Sequence, residues 1–113
     1  MASHDRRGLR GYYRIPTGDV DRVRHAIAAG FPVVGGWLVD RVFLDWSGAG
    51  IIGPQDADAI VGGHAMAIVA YAGDEFRLAN SWGVRWGAGG FALARASFIA
   101  AARDVWALDV GGP

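Results

Sequence analysis

The residues between 64 and 81 constrain the fold of this chain more than any other part of its sequence. Residues 64–71 are apolar on both faces of an extended segment, which is typical of a buried central strand. A turn at Gly73-Asp74 follows, and the residues after it alternate in character as in a half-buried strand. We therefore predict an antiparallel hairpin whose second strand covers residues 76–81. Its alternation places four side chains on one face, Phe76, Leu78, Asn80 and Trp82.

The other segments predict an α+β fold around this hairpin. Val20, Val23 and Ile27 recur at helical spacing, after a start signal at residues 17–19 and before Gly30. Strands are expected near residues 12–15, 31–39, 51–52, 91–95 and 105–109, a short helix over 97–103 and a loop excursion over 40–62. The expected architecture is one helix packed on a strongly bent antiparallel sheet. Trp37, Trp46 and Trp86 could contribute to an exposed patch, although a core position is favoured for the tryptophans.

A basic segment precedes this domain. The 113 residues leave room for one domain, and residues 1–11 are polar and without periodicity. We expect residues 1–11 to form a flexible arm and residues 12–113 to form the domain. Arg6, Arg7, Arg10 and Arg14 stand against Asp5 alone, so residues 1–14 have a net charge of +3, against −3 for the rest. Docking on a protein neighbour is favoured over nucleic acid, because a short arm on a neutral domain is a weak nucleic-acid signal.

The composition excludes several classes of site. The absence of cysteine excludes disulfides, thiolate metal sites and a cysteine nucleophile on these residues. No apolar run reaches the ~20 residues of a membrane span, and no secretion signal is visible, so we expect a cytoplasmic chain or one assembled into a particle. His4, His25 and His64 lie far apart, with no acidic residues at ligand spacing. We expect no metal and no other cofactor.

His64 and Asn80 are the residues with the most specific chemistry. A histidine that opens one strand of a hairpin can meet an asparagine on the next strand. The asparagine carbonyl can accept a hydrogen bond from one ring nitrogen, which fixes the tautomer and leaves the other nitrogen to act as a base. Trp82, on the same face as Asn80, could shield this bond from water. This pattern indicates the base and the orienting residue of a catalytic triad.

The sequence around these residues resembles the papain-like cysteine peptidases of family C1. The similar segments are residues 62–71 (GGHAMAIVAY), 80–83 (NSWG), 86–87 (WG) and 89–91 (GGF), with the helix and strand around residues 26–33 upstream. The resemblance covers residues 12–108 and implies the β-rich right-hand half of the family fold, a half-barrel. It implies that His64 is the base, Asn80 the residue that orients it, and Trp82 the cover over their bond. Gly63 departs from the aspartate or asparagine that many members carry before the histidine.

The nucleophile of the family is a cysteine that heads a helix in the left-hand half, and this chain has no cysteine. Neither Ser47 nor Ser81 replaces it, because Ser81 alternates away from His64 and Ser47 lacks the context of a serine nucleophile. We therefore expect no enzyme activity from this chain and a vestigial His64–Asn80 pair. The face that forms the family's substrate cleft would expose an apolar surface on the order of several hundred Å².

That surface predicts a non-enzymatic function. We expect a protein-binding or structural module. Its setting would be a larger assembly such as a virion, in which it acts as an accessory or decoration protein. It would bind a protein partner or a second copy of itself through the former cleft face. Coverage of that face by the arm is a further possibility. The alternative is one chain of a split cysteine peptidase, which supplies His64 and Asn80 to a cysteine-bearing partner.

Overall fold

The computed structural model describes residues 11–47, 50–54, 56–80 and 86–109, in which helices pack against one sheet. The strands are β1 (Gly11–Ile15), β2 (Val33–Asp40), β3 (Ile51–Ile52), β4 (Ile60–Ala72), β5 (Glu75–Ala79), β6 (Phe91–Arg95) and β7 (Asp104–Asp109). The helices are α1 (Val20–Ala28), α2 (Arg41–Leu44) and α3 (Ala96–Ala100), with a 3-10 turn over Ala57–Ala59. The predicted α+β class is confirmed.

The sheet is open, with strand order β1-β7-β2-β4-β5-β6-β3. All neighbouring strands are antiparallel except β3 and β6, which are parallel. The expectation of one packed helix was too simple, because α2 and α3 contact the sheet as well as α1. The segment that was predicted as a loop over residues 40–62 contains α2 and the first residues of β4. Within the described residues, no helix has the length and apolar character that crossing a membrane requires.

Helix α1 begins and ends where its sequence signals predict. The Asp19 carboxylate accepts a hydrogen bond from the backbone N–H of Arg22 at 3.1 Å, which caps one of the unpaired amides of the first turn. Gly30 adopts a φ of +87° just after the helix, a conformation that glycine reaches without steric cost. Between these two ends, Val23 is buried against the sheet and anchors the apolar stripe of the helix.

The hairpin formed by β4 and β5 confirms the most constrained part of the sequence. Gly73 turns the chain with a φ of +60°, and Ala72 pairs with Glu75 across the turn. A register shift between Ile68 and Ala70 lets β4 bend while it continues to pair with β5. On β5, Phe76 and Leu78 are buried while Arg77 is exposed, as the alternation predicts.

The prediction that β4 is buried on both faces is wrong. Met66 and Ile68 are buried on the inner side, but Ala65 and Val69 are exposed on the outer side. Among the described residues, helices and core side chains cover the inner side of β4 and leave its other side open. The outer side of β4 is therefore apolar but exposed to solvent.

Large aromatic side chains fill the core on the inner side of the sheet. Trp37, Phe43, Phe76 and Phe98 are almost fully buried, and the Trp37 indole N–H donates to the Phe98 carbonyl at 2.8 Å. The rings of Trp37 and Phe98 stack with centroids 5.0 Å apart. Trp37 therefore cannot contribute to an exposed patch, and neither can Trp86, which is 5% exposed. Trp46 is partly buried against the same core.

Candidate functional site

The hairpin brings His64 and Asn80 together. His64 lies on β4, and Asn80 directly follows β5. Ala79 pairs with Ala67, so the next residue, Asn80, lies opposite Met66 and diagonal to His64. Both side chains point to the inner side, the side of Met66 and Leu78, because residues two apart on a strand share a face. The contact follows from the register alone.

A short hydrogen bond joins the two side chains. His64 Nε2 lies 2.8 Å from Asn80 Oδ1. Because an amide oxygen can only accept, the imidazole proton lies on Nε2, which donates to Asn80. In the neutral ring, Nδ1 is then the basic nitrogen. Asn80 is 9% exposed and His64 is half-buried, so the bond lies at the edge of the core rather than in open solvent.

An aromatic floor supports the histidine ring, and sequence reasoning missed it. Phe43 lies beneath His64 with ring centroids 6.3 Å apart, and it contacts Trp86 at 5.0 Å and Phe98 at 5.9 Å. The indole N–H of Trp86 donates to the Phe43 carbonyl at 2.8 Å. The only signal in the sequence was a short apolar run, Val42-Phe43-Leu44, within a segment that was predicted as a loop.

Asp40 holds this floor in place. It is 5% exposed, and its carboxylate accepts from the Phe43 N–H at 2.9 Å and from the Asp56 N–H at 3.1 Å. The first bond caps α2, and the second ties the start of the 3-10 turn to the end of β2. A buried carboxylate with two backbone donors is well satisfied, and it fixes both segments next to the site.

The solvent-facing side of β2, β4 and β5 lies beside this pair, and we call it the outer face. Its central part consists by register of seven uncharged residues, Val34, Gly36, Leu38, Gly63, Ala65, Ala67 and Ala79, while Glu75 and Arg77 of β5 lie on the same side farther along the sheet. Gly63 and Ala65 are exposed, and Leu38 is 40% exposed. His64 borders a depression of about 360 Å³ on this face, whose other lining residues include Gly36, Leu38 and Asp104.

A second depression continues the outer face away from His64. It has a volume of about 340 Å³ and shares Ala65 with the first. Its other lining residues are Val34, Met66, Ala67, Ala79 and Asn80. The outer face therefore runs along β2 and β4 through both depressions. His64 and Asn80 each line one of them, while their side chains point to the opposite, inner side of the sheet.

Of the other predicted site residues, the described part of the chain contains Arg14 alone, and Arg14 does not join this pair. Arg14 lies on β1, separated from β4 by β7 and β2, and its guanidinium carbon is 5.6 Å from the Trp106 ring centroid. Trp82 and the arm residues Arg6, Arg7 and Arg10 lie outside the described residues. Among the residues that the structure describes, no three His, Asp or Glu side chains cluster as metal ligands would.

The site thus holds an imidazole and the amide oxygen that fixes its tautomer. Nucleophilic catalysis also needs a side chain that the base can deprotonate. The sequence contains no cysteine, and Ser47 is exposed on the segment after α2. The described geometry can position a proton acceptor, but these residues do not supply the sulfur that such a base would activate.

The chain is similar to parts of larger proteins, among them cysteine proteases. No protein-family model matches the sequence. The chain is 30% identical over 98 residues to an uncharacterized peptidase C1-like protein of Acanthamoeba polyphaga mimivirus, a match to 80% of this chain and 32% of that protein.

Two solved structures resemble 88% of this chain. One is the Carica candamarcensis cysteine protease CMS1MS2, with a TM-score of 0.73, 26% identity and 48% of its length covered. The other is xylellain, a cysteine protease from Xylella fastidiosa, with a TM-score of 0.71, 29% identity and 40% of its length covered. The chain spans less than half the length of each of these three proteins.

Proposed function

Because this chain is homologous to papain-like C1 cysteine peptidases over 88% of its length and has no cysteine, we propose that it is a protein-binding module without peptidase activity of its own. It matches only part of those enzymes and is not a complete peptidase by itself. The partner binds the outer face, next to the His64–Asn80 pair. This surface corresponds to the former cleft face that the resemblance implies.

The partly exposed, uncharged centre of the outer face carries the proposal. Isolated apolar side chains are common on protein surfaces, but a contiguous apolar patch marks an interaction site. Gly63, Ala65, Ala67 and Ala79 add almost no side-chain bulk, so the backbone of a partner can approach the sheet closely. Arg103 and Asp104 border the His64 end and supply polar groups for the rim of an interface.

The partner belongs to a larger assembly in this proposal. A small module without catalysis acts by decorating or stabilising other chains, as an accessory protein of a particle such as a virion would. The viral origin of the mimivirus relative supports this setting. The arm residues Arg6, Arg7 and Arg10 would add a second, charge-based contact to such a neighbour.

A matched pair of variants tests the docking surface. Ala65→Arg places a long charged side chain in the middle of the outer face, whereas Val42→Arg makes a similar change on α2, where Val42 is 67% exposed. Tagged chains are expressed in the source cells, and the co-purifying proteins are quantified. A partner retained by the original chain and by Val42→Arg should fall at least about tenfold with Ala65→Arg. Equal retention by the two variants would refute the proposal.

A split cysteine peptidase is the second candidate, and the His64–Asn80 bond favours it. At 2.8 Å, this bond orients the ring as a catalytic base requires. The chain would be mixed with a protein, encoded beside it, that carries a Gln-x5-Cys segment. Peptide cleavage that iodoacetamide blocks, and that His64→Ala abolishes but Val42→Arg does not, would establish this function. A folded 1:1 complex without cleavage would exclude it.

A further inference from the structure

Strand β1 ends the sheet on one side. It pairs with β7 through five residues, from Gly11 opposite Asp109 to Ile15 opposite Val105. Among the described residues, no strand lies along its other edge. An edge strand of this kind presents backbone N–H and C=O groups that another strand can pair with.

The side chains of β1 include few of the features that usually prevent an edge strand from pairing with another strand. Tyr12 is 61% exposed and Tyr13 is 55% exposed. Natural edges are commonly protected by charges, by proline or by a bulge, but β1 contains a single charged residue, Arg14, and pairs with β7 in an unbroken register. That charge is held against the Trp106 ring, with the guanidinium carbon 5.6 Å from the ring centroid.

The sequence of β1 complements itself in one antiparallel register. A two-fold axis through Tyr13 places Tyr13 opposite Tyr13 of a second copy, and Tyr12 opposite Arg14 of that copy. All five residues of β1 then pair, and each Arg14 reaches an aromatic ring of the other copy beside its own Trp106. Moving the axis to Arg14 would oppose two like charges, and moving it to Tyr12 would leave three residue pairs.

We infer that β1 is a self-association edge, through which two copies of this chain join their sheets with the two-fold axis at Tyr13. The interface is isologous, because the same five residues serve both copies. It is independent of the outer face on β2, β4 and β5. Five residue pairs bury less than the roughly 1,200 Å² of a stable complex, so the dimer is weak and forms only at high protein concentration.

Disulfide trapping tests the register, because the chain has no cysteine of its own. In the proposed dimer, the two Tyr13 positions have Cα atoms about 4.5–5.5 Å apart, within disulfide range. The two Tyr12 positions are diagonal neighbours at about 8 Å, beyond that range. Mild oxidation with diamide should therefore cross-link Tyr13→Cys at least about tenfold faster than Tyr12→Cys, a matched control of similar exposure.

The unmodified chain provides a second measurement that does not depend on any substitution. In sedimentation equilibrium, its average mass should rise from one chain toward two between about 10 μM and 1 mM. A constant single-chain mass over this range would overturn the inference. Equal cross-linking rates for Tyr12→Cys and Tyr13→Cys, or faster cross-linking of Tyr12→Cys, would overturn it as well.

Discussion

One hydrogen bond determines what the His64 ring can do. Its Nε2–H donates to Asn80 Oδ1 at 2.8 Å, so Nδ1 is the nitrogen that can accept a proton from another group. Such a bond is useful only if the rest of the site keeps the ring still. The Phe43 ring, with its centroid 6.3 Å away, provides that support from the core side.

We predict that Asn80→Ala changes the tautomer of His64. Without the amide oxygen, the Nε2–H loses its acceptor, and the two neutral tautomers become comparably populated. Long-range proton–nitrogen NMR under mildly alkaline conditions, where imidazoles are neutral, should show Nε2–H in the original chain and a mixture in the variant. His25 is exposed on α1 and serves as the internal control, because its tautomer populations should not change. An unchanged His64 spectrum would show that the bond does not set the tautomer.

The pairing of His64 with Asn80 could be predicted from sequence, but the support beneath it could not. The pairing needs only the hairpin register and the alternation of Phe76, Leu78 and Asn80, both of which are visible in the sequence. Phe43 reaches the ring because α2, a single helical turn, places it there. Four residues are too few for a helical period to be recognised.

The hydrogen-bond acceptors of the buried Trp37 and Trp86 indoles could not be predicted from the sequence. A buried indole needs an acceptor for its N–H, and here the acceptors are the backbone carbonyls of Phe98 and Phe43. Every residue has a carbonyl, so the sequence does not indicate which one will face a given indole. Trp37 and Trp86 therefore occupy the core position that the sequence favours and not the exposed patch that it left open.

At the scale of elements, two turns test how much backbone geometry contributes to stability. Gly73 and Gly87 have nearly equal φ values, +60° and +61°. A Cβ added at Gly73 would meet nothing within 4 Å, whereas one added at Gly87 would lie 2.2 Å from the Phe91 carbonyl oxygen. Gly73→Ala should therefore cost about 1 kcal/mol, from the left-handed conformation alone.

Gly87→Ala should cost distinctly more, about 3 kcal/mol or above, because the turn before β6 must also move. Thermal or urea unfolding of the two variants measures the difference directly. Equal destabilisation would mean that the turn over residues 86–90 relaxes freely, and that the close approach of Gly87 to Phe91 is not needed for the β5–β6 connection.

The two hydrogen bonds that Asp40 accepts, from Phe43 and Asp56, form a clasp between α2 and the 3-10 turn. This clasp gives a second prediction for the elements around the site. Asp40→Ala leaves the buried N–H group of Phe43 and the partly buried N–H group of Asp56 without the carboxylate that accepts from them. We expect a loss of about 2–4 kcal/mol in the free energy of unfolding. Asp19→Ala removes a single, exposed cap from α1 and should cost about 1 kcal/mol. Similar losses for the two variants in urea unfolding would argue against the clasp.

Strand β4 shows why the apolar pattern alone misled at this scale. Its alternate residues are apolar on both sides, which in most sheets means that both sides are covered. Here Met66 and Ile68 face the core, while Ala65 and Val69 are exposed. The pattern indicates a strand with apolar residues on both of its sides. It does not reveal whether the second contact is made within the chain or with another protein.

For the whole molecule, the two proposed surfaces lie on different parts of one open sheet. The outer face uses the centre of the sheet, on β2, β4 and β5, and the self-association edge uses its end, on β1. A partner on the outer face and a second copy at β1 can therefore bind at the same time. This arrangement suits a module that links neighbouring chains in an assembly.

The central claim is that this chain binds through a peptidase-like scaffold without cleaving peptide bonds itself. The most direct test is an assay of the purified chain alone on a broad peptide library, beside His64→Ala. We predict that both give the same background, with or without iodoacetamide, because no thiol is present to be activated. Cleavage by the original chain that disappears in His64→Ala would contradict the account.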